Sequence, residues 1–112
     1  MFSPINNPTI NSTDDFQGVE FSMFRAKPDV LDEQLFAACQ KMEKEFLIGE
    51  EGFFQHVLLK GDNGLWADVV FTKSKADAER ICKNFMGNSA CLDYLKLMEE
   101  GSASLTFWSR AK

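Results

Sequence analysis

The chain has 112 residues, 12 Lys and Arg against 17 Asp and Glu for a net charge of −5, 45% hydrophobic residues and 11 Phe, which is apolar material for one compact domain and too little for two. Basic residues stand singly from Arg25 to Lys112, so no stripe exists to neutralise a run of phosphates, and neither nucleic acid nor a membrane surface is an expected partner. No apolar run approaches the roughly 20 residues of a spanning helix, and Met1-Phe2-Ser3-Pro4 lacks the basic cluster and apolar stretch of a signal peptide, so a cytoplasmic protein is expected.

Residues 1–18, rich in Asn, Ser, Thr, Pro and Asp, read as a flexible N-terminal arm before a domain over 19–112. Val19, Phe21 and Met23 alternate with Glu20, Ser22 and Phe24, the period of a first strand that stops at Pro28. Asp29 reads as the N-cap of a helix with Asp32 and Glu33 in its first turn. Leu31, Leu35, Ala38, Cys39, Met42 and Phe46 give that helix one apolar stripe to about Gly49. Phe53 to Lys60 and Leu65 to Thr72 flank Gly61-Asp62-Asn63-Gly64 and predict a hairpin. Ser74 with Asp77 reads as a capping box, and Ala78, Ile81, Cys82, Phe85 and Met86 stripe a second helix. Gly87-Asn88-Ser89 interrupts it before Cys91, Leu92, Leu95 and Met98 resume the helical period as far as Gly101. Ala103, Leu105 and Phe107 then alternate along a last strand. The order predicts an α+β, ferredoxin-like βαββαβ domain with its helices on one face of a four-stranded antiparallel sheet.

Gly61 and Gly64 flanking the turn put Leu59 opposite Trp66, Val57 opposite Asp68 and Gln55 opposite Val70. Leu58, Ala67, His56, Val69, Phe54 and Phe71 fall on the other side, and with Val19, Phe21, Met23, Ala103, Leu105 and Phe107 they are expected under the helices. The bare face then collects Glu20, Ser22, Phe24, Gln55, Val57, Leu59, Trp66, Asp68, Val70, Ser104, Thr106, Trp108 and Arg110. Leaving its large apolar members in water forgoes about 1.5–3 kcal/mol per side chain. Such a patch marks an interface or a ligand groove. A second copy of the chain is the economical cover, so a homodimer is expected, with the polar members lining an interior cavity.

With Gly52-Phe53-Phe54-Gln55-His56 and Ala67-Asp68-Val69-Val70-Phe71-Thr72-Lys73-Ser74-Lys75-Ala76-Asp77-Ala78, the order of elements resembles the dimeric α/β-barrel superfamily. Over residues 19–110 the chain is most similar to antibiotic-biosynthesis-monooxygenase-like proteins. The resemblance implies two sheets packed face to face, with a pocket inside the barrel or between each sheet and its own helices. It also implies an oxidoreductase chemistry without cofactor, in which a deprotonated phenolic, quinol or anthrone substrate reacts with dioxygen itself. The haem-degrading branch pairs a first-strand Asn with a Trp and a proximal His. Here Phe85 and Lys96 stand near those last two positions and the first strand has no Asn, so the axial ligand is missing.

His56, the only histidine, reads either as a general base or as a hydrogen-bonded core residue. Asp68 sits mid-strand, where a carboxylate needs a partner. Arg110 on the same face is that partner, as an interface salt bridge or as a pair orienting a polar ligand around a desolvated base. Trp66 and Trp108 read as dimer core or as a substrate platform beside Phe24, and Ser22, Ser104 and Thr106 as hydrogen-bonding groups. Cys39, Cys82 and Cys91 carry no C-x-x-C spacing and read as reduced packing thiols. Glu43, Glu45, Glu50 and Glu51 read as a solvated helix end, and no metal site is expected.

These residues predict a small-molecule protein with His56 and Asp68 as catalytic groups. Ser22, Phe24, Trp66, Thr106, Trp108 and Arg110 are expected around a small aromatic or hydrophobic ligand. The alternative is a non-catalytic homodimer that binds or senses such a ligand.

Overall fold

A computed structural model describes residues 15–112. Its strands are β1 (Gly18–Arg25), β2 (Phe53–Lys60), β3 (Leu65–Thr72) and β4 (Ser104–Ser109), and its helices α1 (Asp32–Glu45), α2 (Lys75–Phe85) and α3 (Ser89–Leu95). The strands form one antiparallel sheet in the order β2-β3-β1-β4, the ferredoxin-like arrangement. No helix among the described residues is long and apolar enough to cross a membrane.

Local chemistry explains the boundaries. The α1 helix starts two residues later than Asp29 as N-cap suggests, because Gln34 Oε1 accepts from the Leu31 N–H at 2.7 Å and caps the helix there. Ser74 caps α2 through Asp77 N–H at 3.1 Å, as its spacing predicts. The break between α2 and α3 has its own cap, since Asn88 Oδ1 accepts from the Ala90 and Cys91 N–H groups at 2.9 and 3.2 Å. Gly18 is required by contact: a Cβ there would lie 2.2 Å from the Ser74 carbonyl carbon, so strand and helix meet backbone to backbone. Of the arm expected over 1–18, residues 1–14 lie outside the described residues. Phe16 packs edge-on against Phe71, with centroids 5.0 Å apart, and Gln17 hydrogen-bonds Thr72 and Arg110, so both are anchored to the sheet just before β1 begins.

The faces of the sheet differ from the expected ones by a single residue of register. The Gly61 N–H donates to the Leu65 carbonyl at 2.7 Å, closing a three-residue loop in which Asn63 and Gly64 take left-handed φ of 55° and 80°. Lys60 therefore pairs with Trp66, Leu58 with Asp68 and His56 with Val70, until a bulge between Phe53 and Gln55 shifts the ladder back. Because side chains alternate, the slip turns β3 over relative to β2. In β1, Glu20 pairs with Val70, Ser22 with Asp68 and Phe24 with Trp66, and on its other edge Ser22 pairs with Leu105.

Glu20, Ser22, Phe24, Trp66, Asp68 and Val70 thus lie under the helices, while Val19, Phe21, Met23, Ala67, Val69 and Phe71 turn away, the reverse of the expected assignment. His56, Leu58, Leu105 and Phe107 keep the expected side. Phe24 and Trp66 are 0% and 4% exposed, in one core with Leu35, Met42, Phe46, Ile81, Cys91 and Tyr94. The open face holds Val19, Phe21, Met23, Val57, Leu59, Val69, Phe71, Thr106 and Trp108.

Candidate active site

The polar residues that share a sheet face stay together, but they look into the domain. Asp68 on β3 is buried and ties three elements with one oxygen: Oδ1 accepts from His56 Nε2 on β2 at 2.7 Å and from the Tyr94 hydroxyl on α3 at 2.9 Å. The other ring nitrogen, His56 Nδ1, lies 2.6 Å from Glu43 Oε2 on α1. The Cys39 sulfur, one helical turn before Glu43, stands 3.9 Å from Nδ1 and 4.0 Å from Oε2. The His56 side chain is 1% exposed. A buried imidazole flanked by a carboxylate on each nitrogen is held as a cation. Burial opposes the charge, but the hydrogen bonds to Asp68, Cys39 and Glu43 and the negative charge of Asp68 outweigh it and raise the pKa to about 11.

Beside this network lies a cavity of about 200 Å³, closed by Met42, Leu47, Ile81, Phe85 and Leu95 from the helical layer. Its polar lining is Glu20, Ser22, His56, Asp68 and Tyr94, and the rest is overwhelmingly apolar. Glu20 has the most useful electrostatics: burial, reinforced by the Asp68 charge and partly offset by His56, pushes its pKa up to about 7. Its carboxyl therefore exchanges a proton near neutral pH. Burial and the neighbouring Asp68 push the Tyr94 hydroxyl upward, so it stays protonated and acts as a donor. Burial likewise raises the Cys82 thiol on the cavity wall to about 11, Glu20 adding to the effect.

The residues singled out in the sequence separate into three groups. His56, Asp68 and Ser22 come together at the cavity. Phe24 and Trp66 do not line it. Phe24 packs edge-on to Tyr94 at 6.0 Å, and Trp66 lies edge-on to Phe36 at 5.9 Å with Lys60 Nζ 5.6 Å from its ring. Thr106, Trp108 and Arg110 belong to the opposite side of the sheet, where Trp108 Nε1–H donates to Thr106 Oγ1 at 2.9 Å and the Arg110 guanidinium stacks 4.6 Å over Phe16. Asp68 takes His56 and Tyr94 in place of the expected Arg110, because the two residues stand on different faces.

Glu20, Glu43, Cys39 and Tyr94 complete the site without having been picked out as functional. Glu43 carries a weak signal: it stands four residues after Cys39, at the border of the apolar stripe of α1. Tyr94 falls within the stripe of Cys91, Leu95 and Met98, where a hydroxyl needs a buried partner.

No family model matches the chain, and neither does any curated protein. Solved structures do. The chain superposes on a protein from Nitrosomonas europaea named after the antibiotic biosynthesis monooxygenases with a TM-score of 0.64 at 16% identity, over 87% of this chain and 92% of that one. SnoaB, a cofactor-independent oxygenase from Streptomyces nogalater, gives a TM-score of 0.63 at 11% identity, over 87% and 95%. A dimeric ferredoxin-like protein from an uncultured marine organism gives 0.58 at 12% identity, over 90% and 93%. The fold is therefore that of the monooxygenase-like proteins.

Proposed function

We propose that the protein is a cofactor-independent oxygenase of small aromatic phenols, with Glu20 as its proton acceptor. One observation carries the reading: a deep, mostly apolar cavity has a carboxyl of pKa about 7 in its lining next to the hydrogen-bonded Asp68–His56–Tyr94 network. An apolar cavity of about 150 Å³ holds benzene, so about 200 Å³ suits one or two fused rings. Glu20 removes the phenolic proton, giving an electron-rich phenolate. The charged His56, paired with Asp68 at the cavity wall, offsets the developing anion. His56 then acts as a positioning residue, since both its nitrogens are engaged. Dioxygen is the oxidant: the phenolate gives it electrons and a C–O bond forms at the ring carbon para to the oxygen. Loss of that carbon's proton with O–O cleavage yields quinone and one water, so phenol plus dioxygen becomes quinone plus water.

The same reading takes the protein as a homodimer through the open face. Met23, Leu59 and Trp108 are 38%, 46% and 57% exposed there, and the dimeric ferredoxin-like neighbour supports a second copy as their cover.

Dioxygen uptake and quinone absorbance with a hydroxynaphthalene test the activity. Glu20→Gln is expected to lower kcat by about 10²-fold or more. Equal rates in wild type and Glu20→Gln would refute the mechanism. Thermal stabilisation by the naphthol without any turnover would move the assignment to a ligand-binding protein.

A further inference from the structure

On the far side of His56 from the cavity, three different ligand atoms converge. We infer that Cys39, Glu43 and His56 form a binding site for a borderline-soft divalent cation, zinc being the best match. Cys39 and Glu43 stand four residues apart on α1 and so present to one face, the spacing by which a helix supplies two metal ligands. His56 meets them from β2. The Sγ, Oε2 and Nδ1 atoms are separated by 4.0, 3.9 and 2.6 Å. A triangle of those sides admits a point about 2.3 Å from the sulfur and about 2.0–2.1 Å from both other atoms, the bond lengths of zinc. That point lies close to the plane of the three. Tetrahedral geometry needs the short oxygen–nitrogen edge to open to about 3.3 Å, and the Glu43 side chain, 35% exposed, has room to move.

The second shell is in place as well. A metal-bound imidazole commonly donates its other N–H to a carboxylate, which fixes the ring, and His56 Nε2 already meets Asp68 at 2.7 Å, with Tyr94 behind it. A surface groove lined by Phe36, Gln40 and Leu58 reaches Cys39 and Glu43, giving an entry path and a position for a water as fourth ligand. A thiolate with an imidazole selects zinc or cobalt over magnesium or calcium. On binding, the Cys39 thiol proton and the Nδ1 proton leave to solvent, and Zn–S and Zn–N bonds take their places. Zinc is redox-inactive, so it would hold His56 and the Asp68 bond without entering oxygen chemistry.

Titration of the whole protein with Co²⁺, and displacement by Zn²⁺, tests the site without substrate or dioxygen. Its failure leaves the oxygenase reading untouched, and the reverse also holds. The expected result is one Co²⁺ per chain with a thiolate-to-cobalt charge-transfer band and the intense visible bands of tetrahedral cobalt. The charge-transfer band should vanish in Cys39→Ser and persist in Cys82→Ser and Cys91→Ser. Glu43→Gln, a change at a half-exposed position, keeps the test alive if Cys39→Ser does not fold. It should weaken binding at least as much as Asp68→Asn, which loses about 10–100-fold. Absence of binding up to millimolar metal, a band unchanged in Cys39→Ser, or affinity unchanged in Glu43→Gln would overturn the proposal.

Discussion

The two faces of the sheet treat polar groups in opposite ways. Under the helices, Glu20, Ser22, His56, Asp68 and Thr72 are withdrawn from water beside Phe24 and Trp66. On the open side, Met23, Leu59 and Trp108 stay in solvent with few polar companions. A buried polar group is tolerable where another satisfies it, as one Asp68 oxygen satisfies both His56 and Tyr94. An exposed apolar group is tolerable where another surface can cover it. On the proposed reading the contrast divides the labour: chemistry under the helices, association on the open face.

Two phenylalanines of β1 on opposite faces break or sharpen this division most sharply. Phe24→Ala, at 0% exposure, should cost about 3–5 kcal/mol in urea unfolding. Phe21→Ala, three residues away on the other face, should cost far less within the protomer and act on self-association. Similar losses in protomer stability would erase the distinction. Trp108→Ala should weaken self-association by about 2–4 kcal/mol, the range of an interface hot spot, with oxygen uptake per folded chain retained. Sedimentation velocity across a dilution series reads the first effect.

The smallest expected effect concerns pH. Burial in the folded chain raises Glu20 from 4.5 to about 7, the charge of Asp68 on β3 adding to the shift and that of His56 on β2 opposing it, with the Cys82 thiol of α2 facing it as well. The proton is bound more tightly in the folded chain, so this contribution is full below pH 4.5 and is lost as pH rises through 7. It amounts to at most about 3 kcal/mol. Denaturant midpoints at pH 4.5 and 8 should therefore differ less in Glu20→Gln than in wild type. An identical pH slope in the two proteins would mean that Glu20 titrates normally.

Periodicity made the elements legible. The hairpin strands carry the bounds read from Phe53 to Lys60 and Leu65 to Thr72, and Ser74 and the Gly87-Asn88 break fall where their chemistry puts them. The alternation also grouped Glu20, Ser22, Asp68 and Val70 correctly on one face. It could not say which face, because Gly61-Asp62-Asn63-Gly64 is compatible with two closures, and only the Gly61 to Leu65 hydrogen bond distinguishes them. For the same reason Glu43 looked solvated and Cys39 merely packed. Their meeting with His56 depends on how α1 lies across β2, a relation that no spacing within either element encodes.

The tight hairpin has a consequence for which sequence changes this lineage can accept. It works as a reading frame: a one-residue change in the pairing it sets would turn β2 inside out, carry the imidazole to the exterior and strand two carboxylates without their shared cation. Substitutions in the turn are open to drift wherever the left-handed backbone of Asn63 and Gly64 permits, but a change of register is not. This short connection therefore guards a proton network that it never touches.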